Sequence, residues 1–203
     1  FVNGGKKIEP KLISRIQDRR GKTIFQLKSR KCIDCDKFIN NDKIELPKIE
    51  NNNEKILSEE TAYQMTSILE GVVQRGTAKK LRDLKVPLAG KTGTTNNNYD
   101  AWFVGFTPQI AAGGWFGVDD FKVPLGPGLD GSRAALPAWA RFMKAAHDTL
   151  GLPVEKFPKP SGIEDNEICS VTKKLPLPAC PVETEIFKNG TEPTQKCKVH
   201  WTE

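Results

Sequence analysis

Apolar positions recur at three- and four-residue steps through residues 58–75, where Ala62, Met65, Ile68, Leu69, Val72 and Val73 form one stripe. That period predicts an amphipathic helix with its stripe in a core. Ser58 is placed as its N-cap, Glu59 and Glu60 suit the positive end of the helix dipole, and Gly76 is placed to end it. A second helical period covers 132–150, with Trp139, Phe142, Met143, Ala146 and Leu150 on one face and Gly151 closing it. Pro137 either occupies the first turn or kinks this helix. Between the two helices the pattern shortens. "LAGKTGT", "AWFVGFT" and "QIAAGGWFGV" are separated by the polar "TNNNYD" and by Pro108, which predicts a three-stranded antiparallel meander over 88–118. Gly93, Gly105, Gly113 and Gly114 weaken those strands intrinsically and mark places where a ligand or another backbone comes close.

Towards the N-terminus, "KLISRI", "DRRGK" and "TIFQL" read as strand, turn and strand, a hairpin over 8–28. Residues 29–57 are polar and Asn-rich without a sustained period, a surface excursion that carries Cys32-Ile-Asp-Cys35. From residue 152 onward prolines, charges and three cysteines replace periodic structure. The expected organisation is therefore one unit over 1–151 and an irregular tail over 152–203.

Composition narrows the function. Apolar residues make up 37% of the 203, and no apolar run approaches the ~18 residues of a membrane span. The net charge of +6 is uneven: residues 1–31 alone carry ten Lys/Arg against Glu9 and Asp18. This reads as the solvated face of the hairpin, with a basic patch for an anionic polymer as the alternative. Only Phe25 interleaves the basic residues as an aromatic, so nucleic acid is not an expected partner. Five cysteines raise a choice between metal and disulfide. A zinc site wants paired CxxC units or CxxC with two spaced histidines, and the two histidines, His147 and His200, stand 53 positions apart. The expectation is disulfides in an oxidising compartment, no metal and no cofactor.

Gly90-Lys91-Thr92 admits two chemistries. A phosphate-binding loop requires a glycine five positions before Gly90, where Lys85 stands, and a helix after the lysine, which Gly93 opposes. Lys91-Thr92-Gly93 on a strand fits instead the third element of serine acyl-transferases that react with penicillin. Lysine supplies a charge-assisted contact, threonine hydroxyls can hold a substrate carboxylate, and glycine leaves room for a substrate along the strand.

The stretch "AGKTGTTNNNYDAWFVGFTP" resembles the third motif and following strands of the class A penicillin-binding proteins, bifunctional enzymes of bacterial peptidoglycan synthesis. "LSEETAYQMTSILEGVVQRGTA", "GGWFGVDD", "PLG", "GSRAALPAWARFM" and "FVNGGKKIEPKLISRI" are similar to neighbouring segments of the same transpeptidase domain, and the tail around Cys180, Phe187 and Cys197 is similar to tails of some members. The resemblance implies an α/β fold class, a partial β-lactamase/transpeptidase-like fold with an antiparallel sheet packed with helices and a disulfide-stapled tail. It also implies an acyl-serine mechanism that cross-links stem peptides and is trapped by β-lactams, on the periplasmic face of the inner membrane. It implies that Lys91 supports the nucleophile, that Thr92 and Thr94 bind the donor carboxylate beside Gly93, and that the Thr94 amide contributes to an oxyanion hole. Division or elongation proteins are implied partners, a glycosyltransferase domain an implied neighbour, and membrane contact is through an N-terminal anchor. Ser-x-x-Lys is matched only at Ser170-Val-Thr-Lys173, after the KTG motif and in the tail, and Ser-x-Asn does not occur. The chain thus reads as the C-terminal part of a transpeptidase domain without its nucleophile, inactive by itself. Cys180–Cys197 is the expected disulfide, with Cys32–Cys35 as a second. The rival reading is a non-catalytic periplasmic module that keeps part of the fold and binds cell wall or protein. In-frame Ser-x-x-Lys and Ser-x-Asn upstream of Phe1 distinguish the two.

Overall fold

The computed structural model describes residues 1–8, 10, 12–27, 30–33, 48–51, 53–120 and 122–200, with only the backbone for 30–33 and 48–51. It divides into two units, Gly5–Leu57 and the remainder, Phe1–Gly4 with Ser58–Glu203.

In the smaller unit, β1 (Arg15–Gln17) and β2 (Thr23–Gln26) pair antiparallel. The Asp18 carboxylate accepts the Arg20 and Lys22 amides at 2.8 and 2.9 Å, and Gly21 takes the left-handed conformation (φ 81°) that closes the turn. Both strands are exposed along their length. The segment read as an aperiodic excursion contains a second ladder: β3 (Arg30–Ile33) pairs antiparallel with β4 (Lys48–Asn51), Arg30 opposite Asn51 and Ile33 opposite Lys48. A ladder is built from backbone N–H and C=O groups, so it needs no apolar alternation to announce it. Cys32 stands opposite Ile49 in this ladder, but its side chain and all of Cys35 lie outside the described residues, and so does the Cys32–Cys35 bridge.

The larger unit opens on α1 (Glu59–Gln74), capped by Ser58, whose hydroxyl accepts from the Thr61 amide at 3.2 Å. Of the expected stripe Ala62 and Val73 are buried and Leu69 and Val72 pack against the core, while Thr66, outside the stripe, is buried as well. Thr66 can sit inside because its hydroxyl returns to the Ala62 carbonyl at 3.0 Å, and Ile68 is left exposed. Gly76 follows the helix where an added Cβ would stand 2.8 Å from Val72 Cα. A short 3₁₀ segment, Lys79–Leu84, leads into the sheet.

The meander follows the expected order: β5 (Ala89–Thr94), β6 (Asp100–Phe106) and β7 (Ala111–Gly117), antiparallel throughout. One face packs under α2 (Leu136–Leu150), which begins with a single π turn at Gly131–Ala135. Pro137 occupies the first turn of α2, so the kink alternative falls away, and Gly151 closes the helix in the left-handed conformation. Leu136, Trp139 and Met143 are its buried residues, while Phe142 and Leu150 face solvent. Phe103 meets Trp139 edge to face at 4.8 Å between ring centroids, and Val73, Leu81, Leu88 and Met143 close around them. Removing either ring would cost about 3–5 kcal/mol.

The tail is not irregular. β8 (Ile163–Cys169) and β9 (Val182–Lys188) form an antiparallel hairpin in full register, Ile163 opposite Lys188 and Cys169 opposite Val182. The charged centre of β8, Glu164 to Glu167, hides the strand from a hydrophobicity pattern, because its buried residues lie at the two ends. The expected Cys180–Cys197 disulfide is not formed: Cys169, Cys180 and Cys197 are all free thiols.

Candidate functional site

β5 lies at the end of the strand order β5–β6–β7, so one of its edges carries no strand partner among the described residues. The register places Lys91 opposite Val104 and Gly113, and Gly93 opposite Trp102 and Trp115. Directly opposed residues share a face, so these form one surface, on which Val104, Trp102 and Trp115 are exposed. Thr92 stands opposite Phe103 and Gly114, on the α2 side.

The Lys91 ammonium curls over the edge. It donates to the Thr92 carbonyl at 2.9 Å and lies 3.4 Å from the Thr92 hydroxyl, which is 3.1 Å from the Thr77 hydroxyl. Strand alternation predicts Lys91 and Thr92 on opposite faces; the length of the lysine stem reunites their polar ends. Thr77 was not singled out from sequence. It follows Gly76 just beyond α1, and no pattern in a single chain ties that turn to β5.

At Gly93 an added Cβ would stand 3.2 Å from Trp102 Cβ and 4.0 Å from its Cγ, so the missing side chain matters to the fit against β6. Its backbone is approached from elsewhere: a Cβ on Gly131 would fall 2.7 Å from the Gly93 carbonyl oxygen and 2.3 Å from that of Trp102. The Gly131 amide donates to the Thr94 hydroxyl at 3.1 Å, which fixes Thr94 against the lead-in to α2. Asp130 caps that lead-in, accepting from the Ser132 hydroxyl at 2.6 Å and the Ser132 and Arg133 amides at 2.8 and 3.0 Å. The Ser132 hydroxyl is the largest influence holding the Asp130 carboxyl below its usual range, and the two amides add to it. Across the sheet, the Trp115 indole donates to Asp100 at 2.8 Å and the Trp102 and Trp115 rings lie 6.3 Å apart.

Ser170 and Lys173 are the Ser-x-x-Lys match of the tail. They sit in the turn after β8, where Lys173 has φ 56° and its ammonium pairs with the Glu183 carboxylate. Two cavities of the larger unit have no Lys91 in their lining. One of about 780 Å³ is bordered by Tyr63 and Glu70 of α1 and by residues 154–157. Burial pushes the Glu70 carboxyl up, and burial followed by the Glu70 charge pushes the Tyr63 hydroxyl up. Another, of about 510 Å³, lies between α1 and β9.

The three free tail cysteines are gathered with His200. Their sulfurs stand 3.5 Å (Cys169), 3.4 Å (Cys180) and 3.3 Å (Cys197) from one atom, His200 Nδ1, and all four atoms lie within 4.8 Å of one another. The spacing argument that set a metal aside paired His200 with His147. The fold pairs it with cysteines instead, and Cys197-Lys-Val-His200 was the available signal, a two-residue ligand spacing read only as part of a tail.

Comparison with known proteins bears on both regions. Residues 1–126 match the penicillin binding protein transpeptidase domain, and residues 159–202 match the penicillin-binding protein 1A C-terminal domain. The chain is 38% identical over 179 residues to penicillin-binding protein 1A of Rickettsia prowazekii, covering 86% of this chain and 22% of the relative. It is 32% identical over 223 residues to penicillin-binding protein 1A of Pseudomonas aeruginosa, covering 95% of this chain and 27% of the relative. The crystal structure of penicillin-binding protein 1A from Haemophilus influenzae superposes with a TM-score of 0.77 at 33% identity, over 97% of this chain and 31% of that one. The chain therefore spans about a quarter of the length of these relatives.

Proposed function

This chain belongs to the penicillin-binding protein transpeptidase family, and from that premise we propose that β5 is one wall of the reaction cleft of a serine-type peptidoglycan D-Ala-D-Ala transpeptidase. The observation that carries the reading is the edge of β5 without a strand partner among the described residues, where the Lys91 ammonium and the Thr92 and Thr77 hydroxyls converge beside Gly93.

A donor stem peptide lies extended along this edge, where strand backbone can pair with strand-like substrate. Its terminal carboxylate is met by the Thr92 and Thr94 hydroxyls, and the positive Lys91 favours that anion and the developing charge at the nucleophile. The serine oxygen attacks the penultimate D-alanine carbonyl carbon. The bond to the terminal D-alanine breaks, its nitrogen takes a proton, and an acyl-serine ester remains. An amine of a neighbouring stem then attacks the ester, forming the cross-link and returning the serine. β-Lactams form the same ester and hold it. The Thr94 amide stabilises the oxyanion, a contribution of about 2.7–4 kcal/mol for one such donor.

The serine comes from another part of a longer protein, and the exposed Trp102, Val104 and Trp115 beside Lys91 are the face on which that part packs. That the Lys173 ammonium pairs with the Glu183 carboxylate supports a nucleophile other than Ser170. No described helix is long and apolar enough to cross a membrane. Stem peptides and β-lactams are the ligands, and the setting is the periplasmic face of the inner membrane.

The test is acylation of the full-length protein by a fluorescent penicillin. Lys91→Met should lower the second-order acylation rate by about 10²–10³-fold with the fold retained, the loss expected of one transition-state electrostatic contact. A rate within about threefold of the parent, a change of under ~1 kcal/mol, would remove Lys91 from the cleft.

A further inference from the structure

We propose that Cys169, Cys180, Cys197 and His200 form a tetrahedral zinc site that locks the C-terminal hairpin. The case does not depend on the transpeptidase reading. It begins with a conflict in hydrogen bonding: three sulfurs lie 3.3–3.5 Å from the same imidazole nitrogen, yet a neutral imidazole nitrogen carries at most one proton to donate. Coordination to a common centre resolves it. With Zn–S of about 2.3 Å and Zn–N of about 2.0–2.1 Å at tetrahedral angles, each sulfur should stand about 3.5–3.6 Å from the nitrogen. The three observed separations agree with that within a few tenths of an ångström.

The donor set names the metal class. Three thiolates and an imidazole are soft ligands that disfavour magnesium and calcium, and Cys₃His is a recurrent closed set of structural zinc sites. All four positions are filled by protein, so the centre has no place for substrate. A disulfide would use two of the sulfurs and leave the third thiol and the imidazole unsatisfied in the same spot. Cys169 and Cys197 are buried, and Cys180 and His200 half-buried, so the ligands are already sequestered from solvent on one side.

Backbone amides support the sulfurs. Leu177 donates to Cys180 Sγ at 3.2 Å and Val199 to Cys197 Sγ at 3.4 Å, as expected where thiolates bind metal.

The site also has a structural task. Cys169 ends β8, Cys180 lies in the connection to β9, and Cys197 and His200 follow β9. The backbone brings these segments together through the Leu175–Lys196 bridge and the Cys169 amide bond to the Lys174 carbonyl at 2.8 Å. Beyond the sulfurs, the hairpin buries only Ile163 and Ile168, too small a core to hold three loops. Metal binding supplies what the core lacks, with loss of the three thiol protons.

The test is metal counting by mass spectrometry on the full-length protein, grown with zinc and purified without chelator. About one zinc per chain is expected, and replacement by Co²⁺ should give the visible bands of tetrahedral thiolate cobalt. His200→Ala should lose the metal, whereas His200→Cys should keep it by supplying a fourth sulfur. Independently of any variant, Cys169, Cys180 and Cys197 in the parent should resist alkylation until a chelator is added. A disulfide between any two of these cysteines in metal-free protein would overturn the proposal, as would undiminished zinc in both His200→Ala and Cys197→Ser. Because no readout uses acylation, failure of the transpeptidase reading leaves this result intact.

Discussion

Gly131→Ala is the substitution for which the structure specifies the largest effect from the smallest change. The new methyl carbon would stand 2.3 Å from the Trp102 carbonyl oxygen, 2.7 Å from that of Gly93 and 3.1 Å from the Gly93 nitrogen. Carbon–oxygen contacts ordinarily begin near ~3.3 Å, so the lead-in to α2 must withdraw by roughly 1 Å. The obstructing atoms belong to β5 and β6 backbone, paired in their ladder, and cannot rotate aside. Overpacking of this kind costs about 1–3 kcal/mol. Withdrawal also lengthens the Gly131 amide bond to the Thr94 hydroxyl, for about 1 kcal/mol more. A total near 2–4 kcal/mol corresponds to a fall in Tm of about 5–15 °C for a unit of this size, read by tryptophan fluorescence during heating. Gly113→Ala is the matched control. Its Cβ meets only Val104 Cγ2, at 3.9 Å, and relief of glycine's entropy should leave Tm unchanged or raised by the equivalent of about 0.5–1 kcal/mol. If the two variants melt within a degree or so of each other, the close approach of Gly131 to β5 is wrong, and the placement of Thr94 with it.

Two carboxylates give pH signatures of opposite sign. Asp130 has a folded value below its unfolded one, so its contribution is present above the unfolded value and lost as pH falls through the folded value. The Tm advantage of the parent over Asp130→Ala, about 1 kcal/mol for a lost helix cap, should therefore shrink in acid; a difference that is flat with pH would refute the charged cap. Glu70 has a raised folded value because it is buried, so its contribution is present below the unfolded value and lost as pH rises through the folded one. Glu70→Gln should accordingly stabilise the protein at neutral pH and lose that advantage below the ordinary carboxylate range, and destabilisation at neutral pH would contradict the assignment.

What could be read in advance follows from where each signal resides. β5, β6 and β7 lie inside the stretch 88–118 because turn residues and short β-type runs are local properties. The lengths of both helices were legible for the same reason, through their caps. The buried face of α1 was less so, since Thr66 replaces an apolar residue by bonding to its own helix, which hydrophobicity does not record. β3–β4 and β8–β9 were missed because their ladders are stabilised by backbone pairing across polar sequence. Lys91, Thr92, Gly93 and Thr94 could be singled out by residue type, but their link to Thr77 and Gly131 depends on contacts between distant segments. The tail cysteines show the same limit. Sulfurs spaced as Cys-x10-Cys-x16-Cys-x2-His suggested a cross-link, and only the hairpin's geometry reveals a fourth donor at their centre.

The central claim is that this chain supplies a cleft wall while the attacking serine lies elsewhere in the protein. Peptide mapping of the full-length protein after penicillin treatment tests it most directly. The account predicts a single acyl-serine outside the 203 residues, with none at Ser170 and no adduct when the 203-residue chain is treated alone. A stable penicillin ester on any residue within this chain would contradict it.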